Sequence, residues 1–231
     1  MLTDDCSGKS SFTLALLKAF KYSGQVVIDG VDLADVAPEV LRSRITVLPQ
    51  EPVTLPGTVR DNLIPSFVRS EKSDAVATDE VVQGLLRDVG LYDRIESHGG
   101  LDAPFKDVGL SHGQKQLFAL VRLILYNRII GTKFIIMDEA TSHLDYTTDL
   151  KAQELLIREL KGSTVLNVTH RIVGFPTPDY TLEFDSGRLK SIDYLSEAAK
   201  AYTGEQASAE KITEKSAVYS EDENAGDNGE K

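Results

Sequence analysis

Two adjacent acids close an apolar run in the second half of the chain. The run Phe134–Met137 reads Phe-Ile-Ile-Met and is followed at once by Asp138 and Glu139. Such a run predicts a buried strand. In phosphoryl-transfer sites, a strand end of this kind supplies one acid that supports Mg²⁺ and a second that orients or deprotonates the attacking water. The alternative is an ordinary helix N-cap pair, and the motif alone does not separate the two.

A second candidate is Ser7-Gly8-Lys9-Ser10-Ser11, which precedes an apolar helical pattern. In a phosphate-binding loop, backbone N–H groups surround the phosphates, the lysine neutralises them and the next hydroxyl binds Mg²⁺. The full pattern G-x-x-x-x-G-K-[ST] fails here because Thr3 occupies the first glycine position. Gly-Lys-Ser alone also occurs in ordinary solvated loops, so this motif by itself is weak.

A third candidate is Leu110-Ser111-His112-Gly113-Gln114, which stands before a long apolar helical pattern. Serine and small residues at a helix start suit anion recognition by backbone N–H groups. Ser111 is equally suited to be a plain helix cap, and for this motif taken singly we favour the cap.

The order of the short motifs is more specific than any one of them. Along the chain they run Gly8-Lys9-Ser10, Leu48-Pro49-Gln50, LSHGQ, FIIMDEATSHLD and Val168-Thr169-His170. This ordered set resembles that of the ATP-binding cassette (ABC) family, up to about residue 195. The run from Val26 to Leu63 is similar to the second nucleotide-binding domain of the multidrug-resistance-associated (C) subfamily. A histidine inside the signature resembles fungal members. The second cassette of that subfamily usually keeps its catalytic glutamate but carries an altered signature, and Glu139 together with His112 matches that combination.

The resemblance implies roles for the catalytic and metal-binding residues. Glu139 would be the catalytic base or water-orienting residue, and His170 would contact the γ-phosphate of ATP. Gln50 would reach both metal and water, and the Mg²⁺ ligands would be Ser10, Gln50 and Asp138. These residue types fit the roles, because hydroxyl, amide and carboxylate oxygens suit Mg²⁺ and imidazole suits a phosphate oxygen.

The resemblance also implies which residues bind the nucleotide. The phosphate loop would comprise Ser7, Gly8, Lys9, Ser10 and Ser11. The signature residues Ser111, Gly113 and Gln114 would face ATP held by a partner cassette, and Asp145 would lie in a loop that contacts that partner. His112 replaces the usual glycine, so we expect its side chain to hinder close backbone approach to phosphate.

β-like runs alternate with helical patterns, which predicts an α/β fold with a mostly parallel sheet flanked by helices. The resemblance makes this a P-loop NTPase of ABC type, with a helical signature subdomain at about 62–130 and without the N-terminal β-subdomain. The domains are then a cassette at 1–195, truncated at its N-terminus, and an acidic, mostly disordered tail at 196–231.

The individual elements follow from local patterns. The predicted strands are Gln25–Ile28, Ile45–Leu48, Phe134–Met137 and Thr164–Val168, with a hairpin of Tyr180–Phe184 and Arg188–Ile192. The predicted helices are Ser11–Phe20, Asp79–Val89, Tyr146–Leu160 and one through Leu117–Ile124.

Composition excludes several classes of protein. The net charge of −11 argues against a protein that binds nucleic acid by neutralising phosphates. One cysteine, Cys6, excludes an intrachain disulfide and favours a reducing compartment. No apolar run approaches the roughly 18 residues of a membrane span. No cleaved leader is visible at the start of the chain. We therefore expect no nucleic-acid partner, no direct membrane span and a chain that is soluble alone.

Two functions remain open. The first is the ATP-hydrolysing domain of an exporter at the cytoplasmic face of a membrane. Its partners would be transmembrane domains and a second nucleotide-binding domain. The second is a non-catalytic interaction module, which is favoured by Thr3 and Cys6 at glycine positions and by the charges of Asp4 and Asp5. DNA-repair and translation ATPases that share the signature are disfavoured by the acidic composition.

Overall fold

A computed structural model of the chain describes residues 8–169 and 178–194. These residues belong to two compact units, Met1–Gly174 and Phe175–Lys231. The predicted acidic tail, 196–231, and the candidate residues Ser7 and His170 lie outside the described residues. Within them, no helix combines the length and the apolar character that crossing a membrane requires.

A three-stranded parallel sheet forms the centre of the first unit. Its strands are β3 (Ile45–Leu48), β4 (Phe134–Asp138) and β5 (Thr164–Val168), in the order β3-β4-β5. Residues Ile135 to Met137 of the central strand are at most 1% exposed, as expected for a strand covered on both faces. The predicted parallel sheet is confirmed, and β4 extends one residue beyond its predicted end to include Asp138.

Helices surround this sheet. Their bounds are α1 (Lys9–Leu16), α2 (Pro38–Arg44), α3 (Val59–Leu63), α4 (Glu71–Val76), α5 (Asp79–Asp88), α6 (Tyr92–Ser97), α7 (Phe105–Val108), α8 (His112–Ile130) and α9 (Tyr146–Glu159). Short 3₁₀ turns occur at Leu33–Asp35, Ser66–Val68 and Gly100–Asp102. Helices α3 to α8 all lie in the sequence between β3 and β4, so this one connection carries most of the helical residues of the unit.

Helix α1 packs on the sheet and is shorter than its sequence pattern predicts. Leu16 joins a buried cluster with Ile136 of β4, and Phe12 packs against the same cluster. The predicted helix Ser11–Phe20 is wrong at both ends, because α1 begins at Lys9 and ends at Leu16. The chain turns at Lys18, whose φ is 49° and whose Nζ donates to the carbonyl oxygen of Leu33 at 2.7 Å. Lys18 Nζ thereby satisfies a carbonyl group outside the helix.

Helix α8 is the longest helix of the described part of the chain, and it is buried along most of its length. Phe118 packs against Phe105 of α7 with ring centroids 4.8 Å apart. The helix ends at Gly131, which has a φ of 76° and therefore allows the left-handed turn that stops a helix. The next residue, Thr132, is buried and donates from Oγ1 to Asn127 Oδ1 at 2.7 Å. These contacts fix the entry of the chain into β4.

Two antiparallel hairpins complete the described residues. In the first unit, β1 (Val27–Ile28) and β2 (Val31–Asp32) pair across Asp29-Gly30, whose φ values are both positive. The sequence reasoning predicted a longer single strand at Gln25–Ile28 and missed β2. In the second unit, β6 (Tyr180–Asp185) and β7 (Arg188–Tyr194) pair across Ser186-Gly187. The predicted second hairpin is confirmed, with each strand longer than expected.

Candidate functional site

The carboxyl ends of the three parallel strands meet at one edge of the sheet and bring three motifs together. Gln50 follows β3 by two residues, Glu139 follows β4 directly and Thr169 follows β5 directly. Gln50 donates a hydrogen bond from Nε2 to Glu139 Oε2 at 3.1 Å. This bond joins two candidate catalytic residues that sequence reasoning identified separately.

Glu139 has an unusual backbone conformation. Its φ is 47°, in the left-handed region that residues other than glycine rarely adopt. Its N–H donates to the carbonyl oxygen of Val168 at 2.9 Å, and its carbonyl oxygen accepts from Ser142 N–H at 3.1 Å. A non-glycine residue in this region costs on the order of 1–3 kcal/mol and is typical of functional sites. The surrounding hydrogen bonds hold Glu139 in a strained position beside Gln50.

A small cavity lies beside Glu139. It has a volume of about 90 Å³, enough for roughly three water molecules. Its lining comes from the segment after β4 and from the end of β5, namely Glu139, Ala140, Thr141, Ser142, Asn167, Val168 and Thr169. The cavity leaves room for water next to the carboxylate of Glu139.

The oxygen donors at this edge fit Mg²⁺. Asp138 is the last residue of β4, and the Gln50 amide lies one hydrogen bond from the neighbouring Glu139. Over residues 8–169 and 178–194 no group of three or more His, Cys, Asp or Glu side chains could hold a metal ion. Mg²⁺ commonly binds through one or two carboxylates together with substrate phosphates and water, so a full protein cage is not needed.

The start of α1 carries the candidate phosphate-binding residues. Gly8 is the N-cap with a φ of 92°, and as a glycine it offers no side chain to cap the helix. Lys9, Ser10 and Ser11 form the first turn, and Thr13 Oγ1 donates to the Ser10 carbonyl oxygen at 2.9 Å. The left-handed Gly8 and the N–H groups of the first turn match the local geometry of a phosphate-binding helix start.

The signature motif forms the N-terminus of α8. Ser111 Oγ accepts from Gln114 N–H at 3.3 Å, and Gln114 Oε1 accepts from Ser111 N–H at 3.0 Å. This reciprocal pair is a capping box, so the helix-cap interpretation of Ser111 is confirmed. Because both side chains already bind backbone groups, any anion at this helix start would meet mainly backbone N–H groups.

Gly113 and His112 face the segment that follows Glu139. A Cβ atom at Gly113 would lie 3.0 Å from the His143 carbonyl oxygen, so glycine permits this close approach. The rings of His112 and His143 meet edge to face, with centroids 4.2 Å apart. In the described structure, the His112 ring therefore contacts the loop between Glu139 and Asp145.

Asp145 is the N-cap of α9. Its Oδ1 accepts from Thr147 Oγ1 at 2.6 Å and from Thr148 N–H at 3.1 Å. The Thr147 and Thr148 hydrogen bonds stabilise the carboxylate and hold the pKa of Asp145 far below its usual range. The carboxylate therefore stays charged and fixes the start of α9.

A larger cleft of about 510 Å³ gathers the signature residues and Asp145. It is lined by the start of α8, by the end of α5 and by the 143–145 loop with the first turns of α9. The candidate residues among its lining are Ser111, Gly113, Gln114 and Asp145. The structure thus groups the sequence candidates in this cleft, at the Gln50–Glu139 edge and at the start of α1.

Sequence reasoning missed two residues that support these groups. Gln116 is 2% exposed and hydrogen-bonded to Ser142 and His143. Arg122 donates from Nη1 to the carbonyl oxygen of Val53 at 2.7 Å, three residues after Gln50. Arg122 interrupts an apolar stretch of α8, which was an available signal, whereas Gln116 ends the polar run Gln114-Lys115-Gln116 and carried no such signal.

A parallel sheet with paired acids and an amide at its carboxyl edge, in a chain that also has a glycine-capped helix start, is typical of α/β proteins of the phosphate-loop class. The ABC transporter family profile matches residues 5–142, more than half of the chain. The chain belongs to the ABC transporter family.

Individual relatives agree with this assignment. The chain is 35% identical over 184 residues to "ABC multidrug transporter B" of Aspergillus fumigatus, covering 79% of this chain and 12% of that protein. It is 33% identical over 188 residues to "ABC transporter C family member 5" of Dictyostelium discoideum, covering 79% and 12%. The chain therefore spans about an eighth of the length of these relatives.

A solved structure agrees on the fold. A bacterial Atm1-family ABC exporter with ATP bound matches 97% of this chain and 36% of that chain, with a TM-score of 0.68 and 23% identity. The predicted ABC-type fold, with a parallel sheet flanked by helices, is confirmed.

Proposed function

We propose that this chain is a nucleotide-binding domain that binds Mg-ATP and hydrolyses it in a head-to-tail dimer with a partner cassette, to drive export across a membrane. The observation that carries the proposal is the Gln50–Glu139 hydrogen bond at the carboxyl edge of the sheet. It joins an amide to the side chain of Glu139, which lines a cavity that accommodates water. This is the arrangement needed to position a water molecule for attack on a phosphate.

Each residue has a role that follows from its chemistry. Lys9 neutralises phosphate charge at the start of α1, and Ser10 and Asp138 supply oxygens to Mg²⁺. When bound, Mg²⁺ withdraws charge from the phosphate oxygens. Glu139 accepts the proton of the attacking water, and Gln50 fixes the orientation of that carboxylate. His170, placed just after β5 by the sequence, contacts the terminal phosphate.

The signature and the 143–145 loop serve the partner cassette. In the proposed dimer, the start of α8 faces the ATP held by the partner, and the reciprocal hydrogen bonds of Ser111 and Gln114 hold that first turn in place. Asp145 keeps the loop rigid by capping α9. Transmembrane domains would be the other partners, which places the cassette at the cytoplasmic face of a membrane.

We assign the cassette to the second position in a transporter of the C subfamily. Three features support this assignment: the likeness to "ABC transporter C family member 5", the fungal relative, and the combination of Glu139 with His112 in the signature.

The second candidate function is a cassette that interacts without turnover. Thr3 and Cys6 occupy glycine positions of the phosphate loop, and Asp4 and Asp5 bring negative charge to it. At an effective dielectric of 20, a carboxylate 4 Å from a phosphate charge is repelled by about 4 kcal/mol. On this alternative the fold persists while nucleotide affinity is lost.

Calorimetric titration with Mg-ATP separates the two functions. On the first proposal the 231-residue chain binds Mg-ATP, Lys9→Ala abolishes binding, and Glu139→Gln retains binding while hydrolysis falls at least about 100-fold. Lys115→Ala, which changes a lysine of α8 outside the phosphate loop, is the control. No binding by the wild type, with binding gained after Thr3→Gly and Cys6→Gly, establishes the second function.

A further inference from the structure

A buried side chain of the signature helix, Gln116, is hydrogen-bonded to the loop between the catalytic carboxylate and α9. Gln116 lies one turn into α8, and its side chain spans the gap to Ser142 and His143. It is 2% exposed, whereas Ser142 is half-buried and His143 is exposed. A buried amide in this position must satisfy its polar atoms within the protein.

Three hydrogen bonds satisfy the polar atoms of the Gln116 side chain. Gln116 Oε1 accepts from the His143 backbone N–H at 3.1 Å. Gln116 Nε2 donates to Ser142 Oγ at 3.2 Å and lies 3.1 Å from His143 Nδ1. Both ends of one amide are thus committed to two consecutive loop residues, a geometry that restricts sliding and rotation of the loop.

The direction of these bonds follows from elementary chemistry. A backbone N–H can only donate, so the Gln116 atom that faces it must be the oxygen. The nitrogen then faces His143 Nδ1 and can only donate to it, so Nδ1 carries no proton. Ser142 Oγ, 2.9 Å from Nδ1, can donate to the same atom. In this arrangement Nδ1 of His143 is the acceptor, and the ring proton lies on Nε2.

Two further contacts close the attachment. The His112 ring packs edge to face on the His143 ring, and Gly113 lets α8 approach the His143 carbonyl oxygen. On the other side, Ser142 N–H donates to the Glu139 carbonyl oxygen at 3.1 Å. A continuous chain of contacts thus connects the signature helix through Gln116 and Ser142 to Glu139.

We propose that Gln116 is a positioning residue for hydrolysis, which holds the 139–145 loop to the signature helix so that Glu139 and Asp145 move with that helix. The inference rests on the proposed function of this same site. Gln116 is buried, and its side chain is hydrogen-bonded to Ser142 and His143. It acts through the placement of the catalytic carboxylate, so its loss should lower the rate of the chemical step more than the affinity for Mg-ATP.

The test compares Gln116→Leu with Gln116→Glu and with Gln153→Leu. Leucine fills the space of Gln116 without any of its hydrogen bonds. Glutamate keeps an acceptor for the His143 N–H and accepts from Ser142 Oγ and from a proton on His143 Nδ1, so it should restore much of the attachment. Gln153 is another buried glutamine, whose Nε2 donates within α9 to Asp149 Oδ1 at 2.9 Å. Gln153→Leu therefore serves as the control, because it also removes a buried amide but at a position outside the 139–145 loop.

We expect Gln116→Leu to lower the single-turnover rate of ATP hydrolysis roughly 10- to 100-fold, with the Kd for Mg-ATP within about twofold of wild type. Gln116→Glu should recover most of that rate, and Gln153→Leu should stay near wild type. In ¹⁵N NMR spectra, the wild-type His143 ring should carry its proton on Nε2, and Gln116→Glu should move a proton to Nδ1.

The outcomes separate this inference from the proposed function. If the wild type hydrolyses ATP and Gln116→Leu does so at the same rate, the inference is wrong while the proposed function stands. Equal losses of rate in Gln116→Leu and Gln153→Leu, or a wild-type His143 protonated on Nδ1, also overturn it. A wild-type chain that neither binds nor hydrolyses Mg-ATP overturns the proposed function, and the inference with it.

Discussion

Gln50 and Glu139 are 89 residues apart in the sequence, yet the amide nitrogen of Gln50 lies 3.1 Å from the carboxylate oxygen Oε2 of Glu139. One follows an outer strand and the other follows the central strand of the parallel sheet. The pair depends on the register in which Leu48 lies opposite Met137. A slip of one residue in this pairing would separate the two side chains.

Replacing Gln50 should therefore impair hydrolysis more than folding. Gln50 is exposed, so Gln50→Leu should change the thermal midpoint little. Loss of the hydrogen bond frees the Glu139 carboxylate to rotate, and the rate of ATP hydrolysis should fall roughly 10- to 100-fold. Gln83→Leu, on α5, is the matched control. Wild-type turnover in Gln50→Leu would remove Gln50 from the catalytic role.

Substitutions of Arg122 in α8 measure how much this residue, which is bonded to the segment after Gln50, contributes to the free energy of unfolding. Burial lowers the pKa of Arg122, its Nη1 donates to the Val53 carbonyl oxygen, and its Nε finds no acceptor among the described residues. Methionine keeps the packing of the stem and removes the desolvated charge. We expect Arg122→Met to change the free energy of unfolding by less than about 1.5 kcal/mol, and Arg122→Ala to cost about 2–3 kcal/mol.

Denaturant unfolding of both Arg122 variants measures these free energies. A loss above 3 kcal/mol in Arg122→Met would contradict the argument, because it would mean that the charge itself is strongly stabilising in the folded chain.

The ion pair of Arg128 with Glu159 connects the last turn of α8 to the end of α9. Glu159 is 10% exposed, and its Oε2 accepts from Arg128 Nε at 3.0 Å as well as from Nη2 at closer range. Arg128→Met should lower the free energy of unfolding by about 1–2 kcal/mol, because a nearly buried carboxylate loses a partner. Arg158→Met, which removes the exposed second partner of Glu159, should cost less than about 0.5 kcal/mol. The reverse order in thermal unfolding would contradict this assignment.

Acid should weaken the start of α3 through Asp61. Hydrogen bonds from Thr58 N–H and Thr58 Oγ1, with a contribution from Arg69, hold the pKa of Asp61 below its usual range. A carboxyl group whose folded pKa is lowered stabilises the fold above its unfolded pKa, about 3.9, and this stabilisation is lost as the pH falls through the folded value. Asp61→Asn should therefore flatten the dependence of stability on pH below about pH 4.

Thermal midpoints between pH 2 and 7 check this expectation, with Asp93→Asn on the exposed side of α6 as the control. If Asp61→Asn retains the full acid sensitivity of the wild type, the charge of Asp61 does not stabilise the helix start.

The sheet was predictable from sequence because strand chemistry is local. The bounds of β3 and β5 match their apolar, β-branched runs, and the paired acids marked the end of β4. The β1–β2 hairpin was missed although Asp29-Gly30 is a strong turn signal, because its strands are only two residues long. The early end of α1 was also missed, since Lys18 adopts a left-handed φ without being glycine.

The supporting contacts were harder to foresee than the site residues. Gln50, Asp138 and Glu139 follow strands, so their meeting at one edge could be expected. Gln116 contacts Ser142 across 26 residues of sequence, and Arg122 contacts Val53 across 69. Such contacts depend on how α8 packs, which no local pattern encodes. The one local sign was that Arg122 interrupts the apolar pattern of α8.

The strand order determines when paired strands become available during synthesis on the ribosome. Among the strands that the structure describes, β3 pairs with β4, and the long helical connection is synthesised between them. At typical rates of synthesis, the roughly 90 residues that separate Gln50 from Glu139 correspond to about 5–20 s. During that interval Ile45 and Leu48 wait for their partners in β4, Phe134 and Met137, whereas the local helices can already form. This nascent segment should be the most dependent on chaperones, and pausing of translation before residue 134 should increase misfolding of the cassette.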